Sequence, residues 1–307
     1  MAKTAARTYD LTEHFGAVEA LSKLNLEIMQ GEVLGYLGPN GAGKTTTIRL
    51  LLGLLRPTSG RAEIFGLDCQ RQIVETHRRL AYVPGEANLW PSLTGAETLH
   101  LLGRVHGRVD GAYRDELVQR FELDPSKKVR AYSKGNRQKV LLIAALMSRA
   151  ELLLLDEPTA GLDPLMEQAF RGCINESRER GQTVLLSSHI LSEVEALCDR
   201  VAILRQGALV EIGTMAQLRH FSALSVEVIF DGQVPDLSTV QGVGSVEISG
   251  RSLRCRVHGS IEPLLRALAT SRVQELTSRE PSLEELFLEH YGEHPHSEKE
   301  AVAPVGH

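Results

Sequence analysis

Apolar residues recur along this chain at two spacings, period two and the three-to-four of a helix, and together they predict a layered α/β protein. Residues 7–30 alternate polar and apolar positions, as at Leu24, Leu26 and Ile28, which predicts an antiparallel edge layer. Glu32-Val33-Leu34-Gly35-Tyr36-Leu37 is a short apolar run of the kind a buried strand needs. Ile48, Leu51, Leu52 and Leu55 then fall on one helical face, with a stop expected at Arg56-Pro57 because proline disfavours helical geometry in the residue before it. Ala62–Phe65 and Leu80–Val83 read as further strands, and Gly85–Asn88 as a loop. From Leu93 to Ser148 the pattern is helical with no strand-like run, which predicts a helical subdomain over about residues 88–150 inserted in the α/β core. Thr94 and Glu97 form a capping box inside it, and Leu117 and Phe121 are spaced for one buried face.

Beyond that insertion come Leu152–Leu155, a helix ending near Arg180, the strand Thr183–Ser188, and a hairpin over Val201–Leu204 and Leu209–Ile212. The character changes near Phe221. Leu224–Phe230 and Leu253–Val257 alternate at period two, while Ile261–Ala269 and Pro281–Tyr291 read as helices. The expected organisation is a cassette over residues 5–220, a small α+β domain over 221–292, and a disordered tail over 293–307, rich in His, Glu and Pro.

Between the buried strand and the first helix lies Gly38-Pro39-Asn40-Gly41-Ala42-Gly43-Lys44-Thr45, followed by Thr46. This is the Gly-x4-Gly-Lys-[Ser/Thr] phosphate loop in the strand–loop–helix setting it requires. Glycine lets backbone amides approach phosphate closely, and the helix N-terminus adds unpaired donors and a favourable dipole. In such a loop Lys44 reaches the β- and γ-phosphates and the Thr45 hydroxyl ligates Mg²⁺. Leu152–Leu155 delivers Asp156 and Glu157 to the C-terminal edge of a parallel sheet, where α/β proteins bind ligands. Two acids there either sit in solvent or serve a Mg²⁺–nucleotide, with Asp156 holding the metal through water and Glu157 polarising a water. His189 follows Thr183–Ser188 at the same edge; such a histidine is either structural or a phosphate contact. Ser133 is placed to cap the apolar helix from about Arg137 to Met147. Phe15 is suited both to a core and to stacking on an adenine.

Bulk composition removes several function classes. The 307 residues are 42% hydrophobic and 24% charged, an ordinary globular balance, and the net charge of -5 gives no reason to expect nucleic acid binding, which usually shows a basic face. No apolar stretch follows Met1–Arg7, so no signal peptide is expected, and the apolar run at Val140–Met147 is far short of the roughly 20 residues that span a bilayer. Any membrane role therefore requires a partner. Cys69, Cys173, Cys198 and Cys255 are scattered, as expected of reduced thiols rather than a metal site.

Taken in order, the phosphate loop, the Asp156-Glu157 strand end, the Ala160–Asp163 turn and His189 resemble the ATP-binding cassette of ABC transporters over about residues 5–220. The resemblance implies a P-loop NTPase fold with ATP and Mg²⁺ as ligands, Phe15 stacked on adenine, and Ser133 and Gly135 in the signature loop. It implies Glu157 as catalytic carboxylate and His189 as γ-phosphate contact. It further implies two cassettes paired head to tail with Asp163 at their interface, and a separate membrane-spanning permease, with the cassette peripheral on the cytoplasmic face. Two positions depart from the pattern. Gly85-Glu86 stands where the family carries Gln, and Glu86 is expected to replace it at the metal. The signature reads Tyr-Ser-Lys-Gly-Asn where Leu-Ser-Gly-Gly-Gln is usual. Tyr-Ser-Lys-Gly and Pro281–Phe287 resemble the bacterial drug and antibiotic export branch, against the alternatives of an import cassette with a regulatory C-terminal domain or a soluble ABC ATPase.

Overall fold

The computed structural model describes residues 3–107, 110–220, 224–232, 234–237, 239–257, 259–269 and 271–279. The Pro281–Phe287 motif, the helix expected over Pro281–Tyr291, the tail and the boundary at Phe221 lie outside the described residues. The chain divides into two compact units, Met1–Met215 and Ala216–His307.

In the first unit the elements run β1 (Thr4–Phe15), β2 (Val18–Leu24), β3 (Glu27–Met29), β4 (Val33–Leu37), α1 (Lys44–Leu51), β5 (Ser59–Ile64), β6 (Leu67–Asp68), α2 (Ile73–His77), β7 (Leu80–Val83), α3 (Gly95–His106), α4 (Gly111–Arg120), α5 (Lys134–Met147), β8 (Leu152–Asp156), α6 (Pro164–Glu179), β9 (Thr183–Ser188), α7 (Leu191–Leu197), β10 (Arg200–Arg205) and β11 (Ala208–Thr214); α8 (Met215–His220) follows. One sheet has the order β11-β10-β4-β9-β8-β7. It is parallel from β10 to β7, with β11 antiparallel at its edge. β4, β8 and β9 are buried at every position, so both sheet faces are covered, and this is why these strands read as unbroken apolar runs. A second, antiparallel sheet has the order β2-β1-β5-β6, with β3 also on β1.

A single buried cluster joins the two sheets. It takes Leu11, Leu24, Leu26 and Ile28 from the antiparallel layer, Ile48, Leu50, Leu51 and Leu52 from α1 and its cap, and Leu34, Leu152, Leu154 and Leu185 from the parallel sheet. Each fully buried leucine contributes about 1.5–3 kcal/mol, so α1 is clamped where the phosphate loop must be held.

The helical stretch holds. α3, α4 and α5 fill it, the Thr94–Glu97 capping box is formed, Leu117 and Phe121 are fully buried, and the only pairing among the described residues there is an isolated bridge from Thr94 to Lys128. Two boundaries move. The first helix ends at Leu51 rather than near Arg56, because Gly53 turns left-handed at φ 66° against the Cys69 carbonyl and the Ile73 side chain. The helix after the signature starts at Lys134 rather than Arg137, directly on its Ser133 cap.

The second unit has one antiparallel sheet, β13-β14-β12-β15, from β12 (Leu224–Phe230), β13 (Val243–Ser249), β14 (Ser252–Val257) and β15 (Val273–Arg279), with helix α9 (Glu262–Leu268). Val226, Val228, Phe230, Leu253, Cys255, Val257, Leu264 and Leu268 form its core.

Candidate functional site

Residues 38–45 connect β4 to α1, and their backbone is shaped by glycine. Gly41 and Gly43 have φ values of 80° and 108°, a region costly for any residue with a Cβ. Space also demands it. A Cβ at Gly43 would lie 2.6 Å from the Ala20 carbonyl oxygen and 2.7 Å from Leu21 Cδ2, and one at Gly38 would collide with the Leu204 carbonyl. The loop is braced from both sides, since Ala42 N–H donates to Pro39 O at 3.1 Å and Gly207 N–H donates to Ala42 O at 2.9 Å. Pro39, Asn40 and Gly41 are exposed at its crest, and Thr46 is half-buried within α1.

Lys44 is only 5% exposed. Its Nζ donates to the Gly38 carbonyl at 2.6 Å and the Pro39 carbonyl at 3.1 Å, and lies 3.8 Å from Glu157 Oε1. Burial lowers the Lys44 pKa, opposed by the charges of Glu157 and Asp156. The next residue, Thr45, donates from Oγ1 to Asp156 Oδ2 at 2.8 Å.

Sheet order brings the rest together. β4, β9 and β8 are adjacent, and their registers place Leu37 opposite Ser188 and Asp156 opposite Ser187. Ser187 Oγ donates to Asp156 Oδ1 at 2.6 Å, while Glu157 N–H donates to Ser187 Oγ at 3.1 Å. Glu157 leaves the strand at φ 47°, an uncommon conformation for a residue with a Cβ and one that concentrates at functional sites. Its Oε1 lies 3.3 Å from His189 Nδ1. Lys44, Thr45, Asp156, Glu157 and His189 therefore form one connected set.

The other expected residues stand elsewhere in the unit. Phe15, about half exposed, ends β1 opposite Val18 at the mouth of the β1–β2 hairpin, and β2 behind it touches the loop through Ala20 and Leu21. Ser133 Oγ accepts from Asn136 N–H and caps α5. Gly135 lies against Gly161, whose carbonyl a Cβ at residue 135 would strike. Asp163 caps α6 by accepting from the Leu165 and Met166 amides, both at 3.1 Å. The buried Gln138 side chain donates to Pro158 O at 3.2 Å, fastening α5 to the loop after Glu157. Glu86 is exposed, and no hydrogen bond or ion pair ties it to Lys44, Thr45, Asp156 or Glu157; its neighbour Gly85 borders Asp156, a Cβ there falling 3.4 Å from Asp156 O.

Thr45 and Asp156 are the pair with which a metal ion could be held. The Thr45 hydroxyl and the Asp156 carboxylate are hard oxygens of the kind Mg²⁺ takes, and no cluster of three His, Cys, Asp or Glu occurs among the described residues. That donor set fits a Mg²⁺ that completes its shell with water and phosphate oxygens.

Sequence reasoning gave no role to Ser187. The one available signal was the pair of hydroxyls, Ser187 and Ser188, that closes a strand with an apolar middle. Ser187→Ala should destabilise the chain by about 1–3 kcal/mol, because Asp156 Oδ1 loses a buried donor. Denaturant unfolding checks this, and an unchanged midpoint would show that the hydroxyl carries no weight.

The ABC transporter family model matches residues 21–160. Bacitracin transport ATP-binding protein BcrA of Bacillus licheniformis is 40% identical over 211 residues, covering 68% of this chain and 69% of that protein. Daunorubicin resistance ATP-binding protein DrrA3 of Streptomyces coeruleorubidus is 35% identical over 304 residues, covering 94% of this chain and 96% of that one. Among solved structures, an ATP-binding subunit of an ABC transporter superposes with a TM-score of 0.66 at 33% identity, covering 70% of this chain and 92% of its own.

Proposed function

The chain belongs to the ATP-binding proteins of ABC transporters, and we propose that it hydrolyses ATP to drive export of drug- or antibiotic-like molecules through a separate permease. The observation that carries the hydrolytic part is the contact of Glu157 with both Lys44 and His189, beside the Thr45–Asp156 pair. Lys44 and the loop amides bind the β- and γ-phosphates. Thr45 and Asp156 would hold Mg²⁺, which would supply positive charge against the triphosphate. Glu157 takes the proton of the attacking water, and His189 contacts the γ-phosphate.

The exporter assignment draws on the two antibiotic-linked relatives and on Tyr132-Ser133-Lys134-Gly135. The permease is taken to be another chain, with this one peripheral on the cytoplasmic face, because the relatives are ATP-binding proteins of transport and resistance systems; no helix among the described residues is long and apolar enough to cross a membrane. Phe15 stacks on adenine. Ser133 and Gly135 close the ATP site of a second cassette, with Asp163 at the interface. The cassette occupies residues 5–220, followed by the accessory module and tail.

ATPase assay of the purified chain tests the chemistry, and fractionation tests the setting. Membrane association that depends on a co-purifying permease supports export, whereas co-sedimentation with ribosomes points to a soluble cassette. Glu86 is proposed as the metal-side replacement for the family's Gln, because Gly85 borders Asp156. Glu86→Ala should lower turnover several-fold, to a degree set by the proton-transfer and water-orienting contribution it removes, and raise the Mg²⁺ concentration for half-activity. Wild-type turnover with an unchanged Mg²⁺ dependence removes Glu86 from the site.

A further inference from the structure

Glu193 lies on α7, four residues beyond His189, and is only 7% exposed. Its Oε1 accepts from Thr159 Oγ1 at 2.7 Å, and its Oε2 accepts from Ser188 Oγ at 2.7 Å. No cation pairs with it among the described residues. A buried carboxyl held by two hydroxyls is a poor source of stability, since an apolar side chain would fill the space at lower cost. Its position suggests another reason for its presence. Thr159 stands two residues after Glu157, and Ser188 immediately precedes His189. Glu193 thus bridges the two segments whose Glu157 and His189 meet at 3.3 Å. The bridge has a firm base, because α7 is pressed onto β4 where a Cβ at Gly35 would strike the Val194 side chain and lie 3.0 Å from Cys198 Sγ. It also reaches the phosphate loop, since Gly38 N–H donates to Ser188 O at 3.4 Å.

We propose that Glu193 is a positioning residue. It holds the Thr159 and Ser188 segments at a fixed separation, so that Glu157 and His189 face one γ-phosphate together. The proposal rests on the ATPase reading above and adds a residue that touches no reacting atom. A slack Thr159 segment would release Glu157 from His189, and the Ala160–Asp163 turn would lose its anchor at the same time.

The test uses the full chain and compares kcat, KM for ATP, and the Kd of a fluorescent ATP analogue. Glu193→Ala should lower kcat roughly ten- to a hundredfold, the scale of a misplacement of about 1 Å, with KM and Kd within about twofold. Glu193→Gln should recover most of this, because a side-chain amide can still bond both hydroxyls. Thr159→Val and Ser188→Ala should each lower kcat several-fold, yet add little to Glu193→Ala, as expected of groups acting through one partner. A normal kcat in Glu193→Ala, with turnover lost in Glu157→Gln, overturns the positioning role and leaves the ATPase reading standing. A raised KM at normal kcat overturns it as well. If Glu193→Ala does not fold, Thr159→Val and Ser188→Ala decide: normal kcat in both overturns the proposal. A wild-type chain that does not turn over ATP, or a Glu157→Gln variant that matches it, sinks the ATPase reading instead.

Discussion

Lys44→Ala should abolish tight ATP binding. Lys44 is the cation built into the phosphate loop, and its Nζ sits 2.6 Å from the Gly38 carbonyl and 3.8 Å from Glu157. A charge-assisted hydrogen bond contributes about 1.5–3 kcal/mol, and each 1.4 kcal/mol is a factor of ten in affinity. Two such bonds, to the β- and γ-phosphates, therefore correspond to a loss of roughly a hundredfold or more. The loss extends further, because Asp156 and Glu157 would then face the triphosphate with no lysine between them. Burial lowers the Lys44 pKa while the charges of Glu157 and Asp156 oppose that shift, and a triphosphate adds to their side. Titration with a fluorescent ATP analogue measures the effect. The unliganded chain should stay folded but lose about 1–3 kcal/mol of stability, because the Gly38 and Pro39 carbonyls lose their Lys44 donor, an effect separate from the loss of ATP affinity. An affinity within twofold of wild type would show that residues 38–45 are not the phosphate site.

How far the site could be read from the chain depended on where each signal resided. Residues 38–45 and Asp156-Glu157 were legible because their chemistry is local: a loop of fixed spacing, and a strand buried on both faces that ends in acids. His189 was legible at the same edge because it follows an apolar strand, and the sheet order β4-β9-β8 is what sets it beside Glu157. Ser187 and Glu193 were not legible, because each acquires its role through partners about thirty residues away: Asp156 for the first, Thr159 for the second. A glutamate in a seven-residue helix presents no pattern that separates it from a solvated one. The same limit hid whole elements. α2 and α7 are too short for a helical period to register, and β15 is exposed at every position, so it has no apolar alternation to read. The overlong first helix had a different cause. Leu55 does pack against the core, as the spacing suggested, but it does so from the chain beyond the left-handed turn at Gly53.

Glu157→Gln should keep ATP bound while hydrolysis slows by roughly a hundredfold or more, the usual contribution of a positioned general base. The substitution preserves shape. Gln fills the same volume, the amide of residue 157 still donates to Ser187, and φ 47° is no harder for Gln than for Glu. What it removes is the capacity to accept a proton from water. It also removes the negative charge 3.8 Å from Lys44, which leaves that ammonium free for the γ-phosphate and should tighten ATP binding rather than weaken it. Binding and turnover thus move in opposite directions, whereas a merely destabilised site would lose both. Because ATP then persists, a paired state that requires intact triphosphate should accumulate and elute as a dimer from a sizing column run in ATP, but not in ADP. If Glu157→Gln turns over ATP at the wild-type rate, the proton acceptor lies elsewhere. The contact between Glu157 and His189 would then be only the meeting of two strand ends.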